Sequence, residues 1–179
     1  MTRRSVTLAC LATLACALTA CDSAVDGAPK PAPSASAPAS SSAQADTPLA
    51  GMSSCATLDK ALTGQGFPAA APSPADPEHV CTSVKGGTGT YGLLLQDGQT
   101  IEENIQDVSQ TAMGHVNKRR AILERNLNGT QATCGVRMEI LPRSRAIVTA
   151  FLTTGSTDQA CEAAKNLAGV VEPLLPPAR

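Results

Sequence analysis

The chain has 179 residues with near-balanced charge, 14 Lys+Arg against 15 Asp+Glu, and only three aromatic side chains, Phe67, Tyr91 and Phe151. That balance excludes the basic surface that recruits nucleic acid or anionic membrane. The shortage of rings excludes stacking platforms for bases or sugars, and leaves a core to be built from Leu, Ile, Val, Ala and Met.

Residues 1–20 read as a secretory signal: Arg3 and Arg4, then an apolar stretch from Val6 to Leu18 broken only by Thr7 and Thr13. The stretch is shorter than the roughly 20 apolar residues of a spanning helix. Leu18-Thr19-Ala20-Cys21 has the form of a bacterial lipobox, so Cys21 is expected to take a diacylglyceryl group and become the first mature residue. Each lipid CH₂ buried then contributes roughly 0.8 kcal/mol to membrane attachment. Arg3-Arg4 hints at twin-arginine export, a hint that Thr7 weakens.

Residues 21–51 carry the lipidated Cys and a tether almost entirely of Ala, Ser, Pro, Gly, Asp and Thr, with no apolar period and too little hydrophobic surface to offset ordering. At about 3.1 Å per residue such a PPII-rich segment reaches roughly 90 Å. One globular domain is expected over residues 52–177.

In that domain, Ser53 or Ser54 caps a helix with Cys55, Leu58 and Leu62 on one face, stopped by Gly64 and Gly66. Four prolines mark residues 67–78 as a loop. His79–Lys85 and Tyr91–Gln96 read as strands joined at Gly86-Gly87. Thr100 and Glu103 have capping-box spacing, so a helix is predicted with Ile101, Ile105 and Val108 inward. Arg120–Leu127 is a strand, and Asn128-Gly129 a hairpin turn. Cys134, Val136, Met138 and Ile140 alternate with Gly135, Arg137 and Glu139, which predicts a strand with one wet face. Ser144–Thr153 is apolar on both faces and central. A last helix runs from Thr157 to about Val171 with Cys161, Ala164, Leu167, Ala168 and Val171 in its stripe. The expected fold is α+β: an antiparallel twisted sheet of about five strands with helices on one side.

Four cysteines remain after the signal and the anchor: Cys55, Cys81, Cys134 and Cys161. Outside the membrane they read as two disulfides, with three connectivities open. Cys55–Cys81 with Cys134–Cys161 is favoured because each closes a loop of about 25–30 residues, worth roughly 3 kcal/mol. No CxxC or CxxH spacing argues for metal.

These residues also resemble a family. The lipobox and tether, Ser54-Cys55-Ala56-Thr57-Leu58, Cys81, Arg120-Ala121, Thr133-Cys134-Gly135-Val136 and the run Ala160–Ala168 ending near Leu174-Leu175-Pro176 are similar to actinobacterial lipoproteins of the domain of unknown function 3558 family. The likeness covers roughly residues 50–177. One departure is Ser83, where such lipoproteins carry an aromatic after the second Cys. The resemblance implies a small secreted α+β domain with a curved sheet backed by helices, and no activity.

Candidate sites are few. Lys118, Arg119, Arg120 and Arg125 can bind an anion such as teichoic acid or a phospholipid head group, or simply guard a strand edge. His79 and His115 lie in no metal-ligand spacing. Glu102, Glu103 and Asp107 fit the N-terminal half of the predicted helix. Gly86-Gly87-Thr88-Gly89 lacks the Lys-Ser/Thr of a phosphate loop, and Asn128-Gly129-Thr130 is a sequon explained by its turn. No GxSxG is present. The expectation is a non-catalytic, lipid-anchored, monomeric domain on the outer face of the cell membrane, without cofactor or metal and without nucleic acid. Its partner is an envelope protein or polymer. The alternative is a carrier of a lipid or small apolar ligand in a pocket between sheet and helix.

Overall fold

The computed structural model describes residues 47–177. The signal, Cys21 and the tether as far as residue 46 lie outside the described residues. The tether's expected end does not: Thr47–Gly51 form a turn, and Leu49 is buried in the core. The folded part therefore begins about five residues earlier than Met52.

Helix α1 (Ser54–Ala61) is capped by Ser53, whose hydroxyl accepts from the Ala56 N–H. Seven strands follow: β1 (Ala71–Ser73), β2 (Asp76–Lys85), β3 (Gly89–Asp97), β4 (Thr111–Val116), β5 (Arg119–Arg125), β6 (Thr133–Ile140) and β7 (Ser144–Leu152). Helix α2 (Thr157–Val171) closes the chain behind a capping box of Ser156 and Gln159. All pairings are antiparallel, in the order β1-β2-β3-β7-β6-β5-β4. The fold is α+β, with seven strands where about five were expected.

The two extra strands are the edges. β1 lies in the stretch read as a proline loop; it is three residues long and bulged beside Pro72. Proline is tolerated there because an edge strand need not donate to a further neighbour. β4 is exposed along most of its length, so it shows no buried alternation. It is fixed by a two-residue loop in which Asn117 takes a left-handed φ of 53°.

Both helices pack on one face. Cys81, Leu93, Val148 and Val136 lie side by side across β2, β3, β7 and β6, so all four point to the same side. Small residues on α2 (Ala160, Ala164, Ala168) let its axis approach the sheet, while Leu167 and Val171 fill the layer. The disulfides Cys55–Cys81 and Cys134–Cys161 tie α1 to β2 and α2 to β6, the favoured connectivity. Ser83, where an aromatic was expected, is buried and donates to the Pro68 carbonyl at 2.6 Å. Phe67 stacks on Tyr91 with ring centroids 4.7 Å apart.

Gly89 opens β3 at φ +147°, with the Phe151 carbonyl oxygen 2.1 Å from where a Cβ would stand. Backbone cannot yield as a flexible side chain can. Gly89→Ala is expected to cost about 2 kcal/mol by disrupting the β3–β7 start. Urea unfolding checks it, and an unchanged midpoint would reject the close approach.

Candidate binding face of the sheet

The alternation in β6 predicted one wet side for that strand, but Arg137 on that side is buried, and part of the β3–β4 connection lies over it. Residues Gln99–Asn104, where the capping-box spacing predicted the start of a helix, form an irregular segment. Asn104 sits at φ 64°, outside helical geometry. A helix would need the Thr100 carbonyl to accept from residue 104 and the Glu103 carbonyl from residue 107. Here guanidiniums take those oxygens. Arg145 Nη1 donates to the Thr100 carbonyl at 2.9 Å and to the Glu103 carbonyl at 2.6 Å. Arg137 Nη1 donates to the Glu103 carbonyl at 3.1 Å, and its Nη2 to the Asn104 carbonyl at 3.2 Å. Of the three residues predicted to face inward, Ile101 is fully buried, Ile105 half-buried and Val108 exposed.

The two arginines differ in what they can still do. Arg145 is 4% exposed, and each of its guanidinium nitrogens bonds to neutral oxygens only. Besides the two carbonyls it reaches Gln96 Oε1 through Nε (3.2 Å) and Nη2 (2.8 Å), and Gln99 Oε1 through Nη2. Those contacts occupy all five N–H donors of a guanidinium. Burial, and then the nearby Arg137 charge, push its pKa below the ordinary arginine value. Arg145 holds the loop and has nothing left for a ligand. Arg137, 7% exposed, pairs with Glu124, 5% exposed: Glu124 Oε2 accepts from Arg137 Nε at 2.8 Å and lies 2.7 Å from its Nη2. Glu124 Oε1 accepts no hydrogen bond among the described residues.

Beside this pair lies a hollow of about 240 Å³. Leu94, Ile147 and Thr149 form its floor, Asn104 and Gln106 one wall, and Leu127 and Asn128 the other. Glycine makes the depth possible. Gly92 and Gly135 flank Thr149 in one row across the sheet. A Cβ at Gly92 would stand 2.5 Å from Thr149 Oγ1, and one at Gly135 3.3 Å from a Leu127 methyl. A second hollow of about 460 Å³ shares Gln106, Glu124 and Asn128 with the first, and adds Gln110, Asn126 and Gln131 among others. It lies where Asn128-Gly129 was expected to form a tight hairpin. The β5–β6 connection instead contains a 3₁₀ turn, Leu127–Gly129, with Asn126, Asn128 and Gly129 all at positive φ.

The basic residues singled out in the sequence do not form one anion site. Arg119 is buried on Glu172 (3.2 Å) and on the carbonyls of Glu139 and Pro176. Arg120 pairs with Glu102 (2.6 Å) and Glu139 (3.1 Å). Arg125, at the other end of β5, pairs with Asp158 of α2 at 2.6 Å. Lys118 alone of the four has no carboxylate within salt-bridge distance among the described residues. Three local carboxylates thus offset the charge around a hollow of about 340 Å³ lined by Lys118, Arg119, Arg120 and His115. Arg120 also lies on β5, so it does not guard the edge strand. His79 contacts Asp76 at 2.9 Å, and that hydrogen bond lowers the Asp76 pKa. The described residues hold no group of three His, Cys, Asp or Glu arranged for a metal.

The centre of the layer between sheet and helices, where a carrier's pocket was expected, is occupied by Cys134, Val136, Met138, Val148 and Ala150 against α2, and a hollow of about 200 Å³ remains at its edge between Ala121, Leu123, Val136 and Lys165. Residues that line the opposite face, Arg137, Glu124, Gln106 and Asn128 above all, were not recognised as a group in the sequence. Their only signal was Arg137 on the wet side of a predicted strand. Compared with family models, curated proteins and solved structures, the chain matches none.

Proposed function

We propose that this chain is a lipid-anchored lipoprotein on the outer face of the cell membrane, carrying a non-catalytic binding domain for an envelope protein or polymer. It is of the kind that its likeness to domain of unknown function 3558 lipoproteins implies. The supporting observation is the agreement of two independent features. A signal ending in Leu18-Thr19-Ala20-Cys21 directs export and lipidation. The four remaining cysteines pair in two disulfides, a state that an oxidising compartment maintains. A tether of residues 22–46, reaching about 80 Å at about 3.1 Å per residue, presents the domain as a monomer beyond the lipid surface.

Cys21→Ala tests this reading. Wild-type protein is expected in the membrane fraction, extractable only by detergent. The variant is expected in the soluble exported fraction, lacking the diacylglyceryl mass. Retention of the variant in the membrane fraction would sink the anchoring claim.

A second reading, a carrier of a lipid or small apolar molecule, is favoured by the hollow over Leu94 and Ile147. It places the ligand on the side of the sheet away from the helices.

A further inference from the structure

We infer that the groove over β3, β7, β6 and β5 binds an uncharged amphiphile: a short apolar arm joined to a hydroxyl-bearing head. The inference rests on the second reading above, the carrier of a small apolar molecule, and names its ligand class.

The two hollows differ in chemistry and meet at Gln106, Glu124 and Asn128. The inner one is aliphatic, with Val80, Leu94, Ile147 and Leu127 around it. Its volume of about 240 Å³ equals roughly eight waters at ~30 Å³ each, enough for a short alkyl arm and too little for a whole diacyl lipid. The outer one is lined by carboxamides. Gln110 and Asn126 bond each other at 3.2 Å, but Gln106, Asn128 and Gln131 have no side-chain partner among the described residues. Carboxamides offer donors and acceptors together, which hydroxyls match. The combined space falls within the roughly 300–1,000 Å³ of small-molecule sites, mostly apolar with a few convergent polar groups.

Charge selects the head. Glu124 is buried at the junction with Oε2 committed to Arg137, and its Oε1 is open to accept from a ligand O–H. Asp107 lines the outer hollow, and its Oδ1 accepts from the Ser109 N–H and hydroxyl. The cations at the site, Arg137 and Arg125, already face carboxylates. An anionic head therefore meets two carboxylates and no unpaired cation, whereas a hydroxyl supplies the missing donor.

The test uses the full chain carrying Cys21→Ala, exported and purified without detergent. Submicellar octyl glucoside is titrated by ¹H–¹⁵N NMR, with octyl sulfate and glucose as controls. Saturable shifts are expected at Leu94, Gln106, Asn128 and Ile147. Octyl sulfate and glucose should each bind at least tenfold more weakly. Gln106→Ala with Asn128→Gly removes both free carboxamides, and glycine keeps the positive φ at 128. This double variant should lose tenfold in affinity while its unfolding midpoint holds. Shifts elsewhere, no saturation, or full affinity in the double variant would overturn the site. Equal affinity for octyl sulfate would overturn the head, and equal affinity for glucose the arm. None of these results bears on anchoring, which the fractionation of Cys21→Ala reads separately.

Discussion

Arg137→Ala will cost the domain about 3–5 kcal/mol, because it leaves the Glu124 carboxylate buried without its cation. Arg137 stands on β6 and Glu124 on β5 at adjacent positions of one sheet face, and the irregular segment lies over the arginine. Two effects add in the single variant: an uncompensated buried charge, and loss of donors to the Glu103 and Asn104 carbonyls. The melting temperature should fall by roughly 10–15 °C. Arg137→Met with Glu124→Leu separates the two. If the buried charge dominates, the double variant regains most of the loss, since an apolar pair of similar volume removes the need for compensation. A double variant as unstable as the single one would instead place the effect in the loop carbonyls. A single variant within 1 kcal/mol of wild type would mean that water reaches Glu124 freely.

Removing the Cys134–Cys161 disulfide as the Cys134→Ala/Cys161→Ala pair should destabilise the domain by about 3.5 kcal/mol. The bond closes a separation of 27 residues, which sets the loop entropy released to the unfolded chain. The same bond is the covalent tie between α2 and the sheet, in a chain with only three aromatic rings. Guanidinium unfolding of the variant against the oxidised wild type measures the loss, and hydrogen exchange in α2 should rise before exchange in β7. A loss below about 1 kcal/mol would show that the apolar stripe of α2 suffices to dock it.

Local patterns carried much of the fold. The α2 stripe, the alternation in β6, the Gly86-Gly87 turn and the cysteine pairing each depend on residues close in sequence, or on loop sizes that spacing reveals. The irregular segment at 99–104 marks where that logic ends. Thr100, Glu103 and the 3.6-residue spacing of Ile101, Ile105 and Val108 all favour a helix locally. Arg137 and Arg145, more than 30 residues further on, claim the carbonyls a helix would use. In the sequence they look like any arginine on a strand's outer side. The groove was hidden for the same reason, since its walls come from residues 104–106 and 127–128 and its floor from β3 and β7.

The sequence by itself determined the α+β class and the favoured disulfide pairing, because hydropathy period and spacing act along the chain. Only the tertiary structure decided that the sheet has seven strands, that a loop covers Arg137 and Arg145 on its second face, and that three of the four basic residues pair with carboxylates. Edge pairing, guanidinium capping of a distant loop and ion-pair partnership depend on which residues meet in space, and separation along the chain carries no record of that.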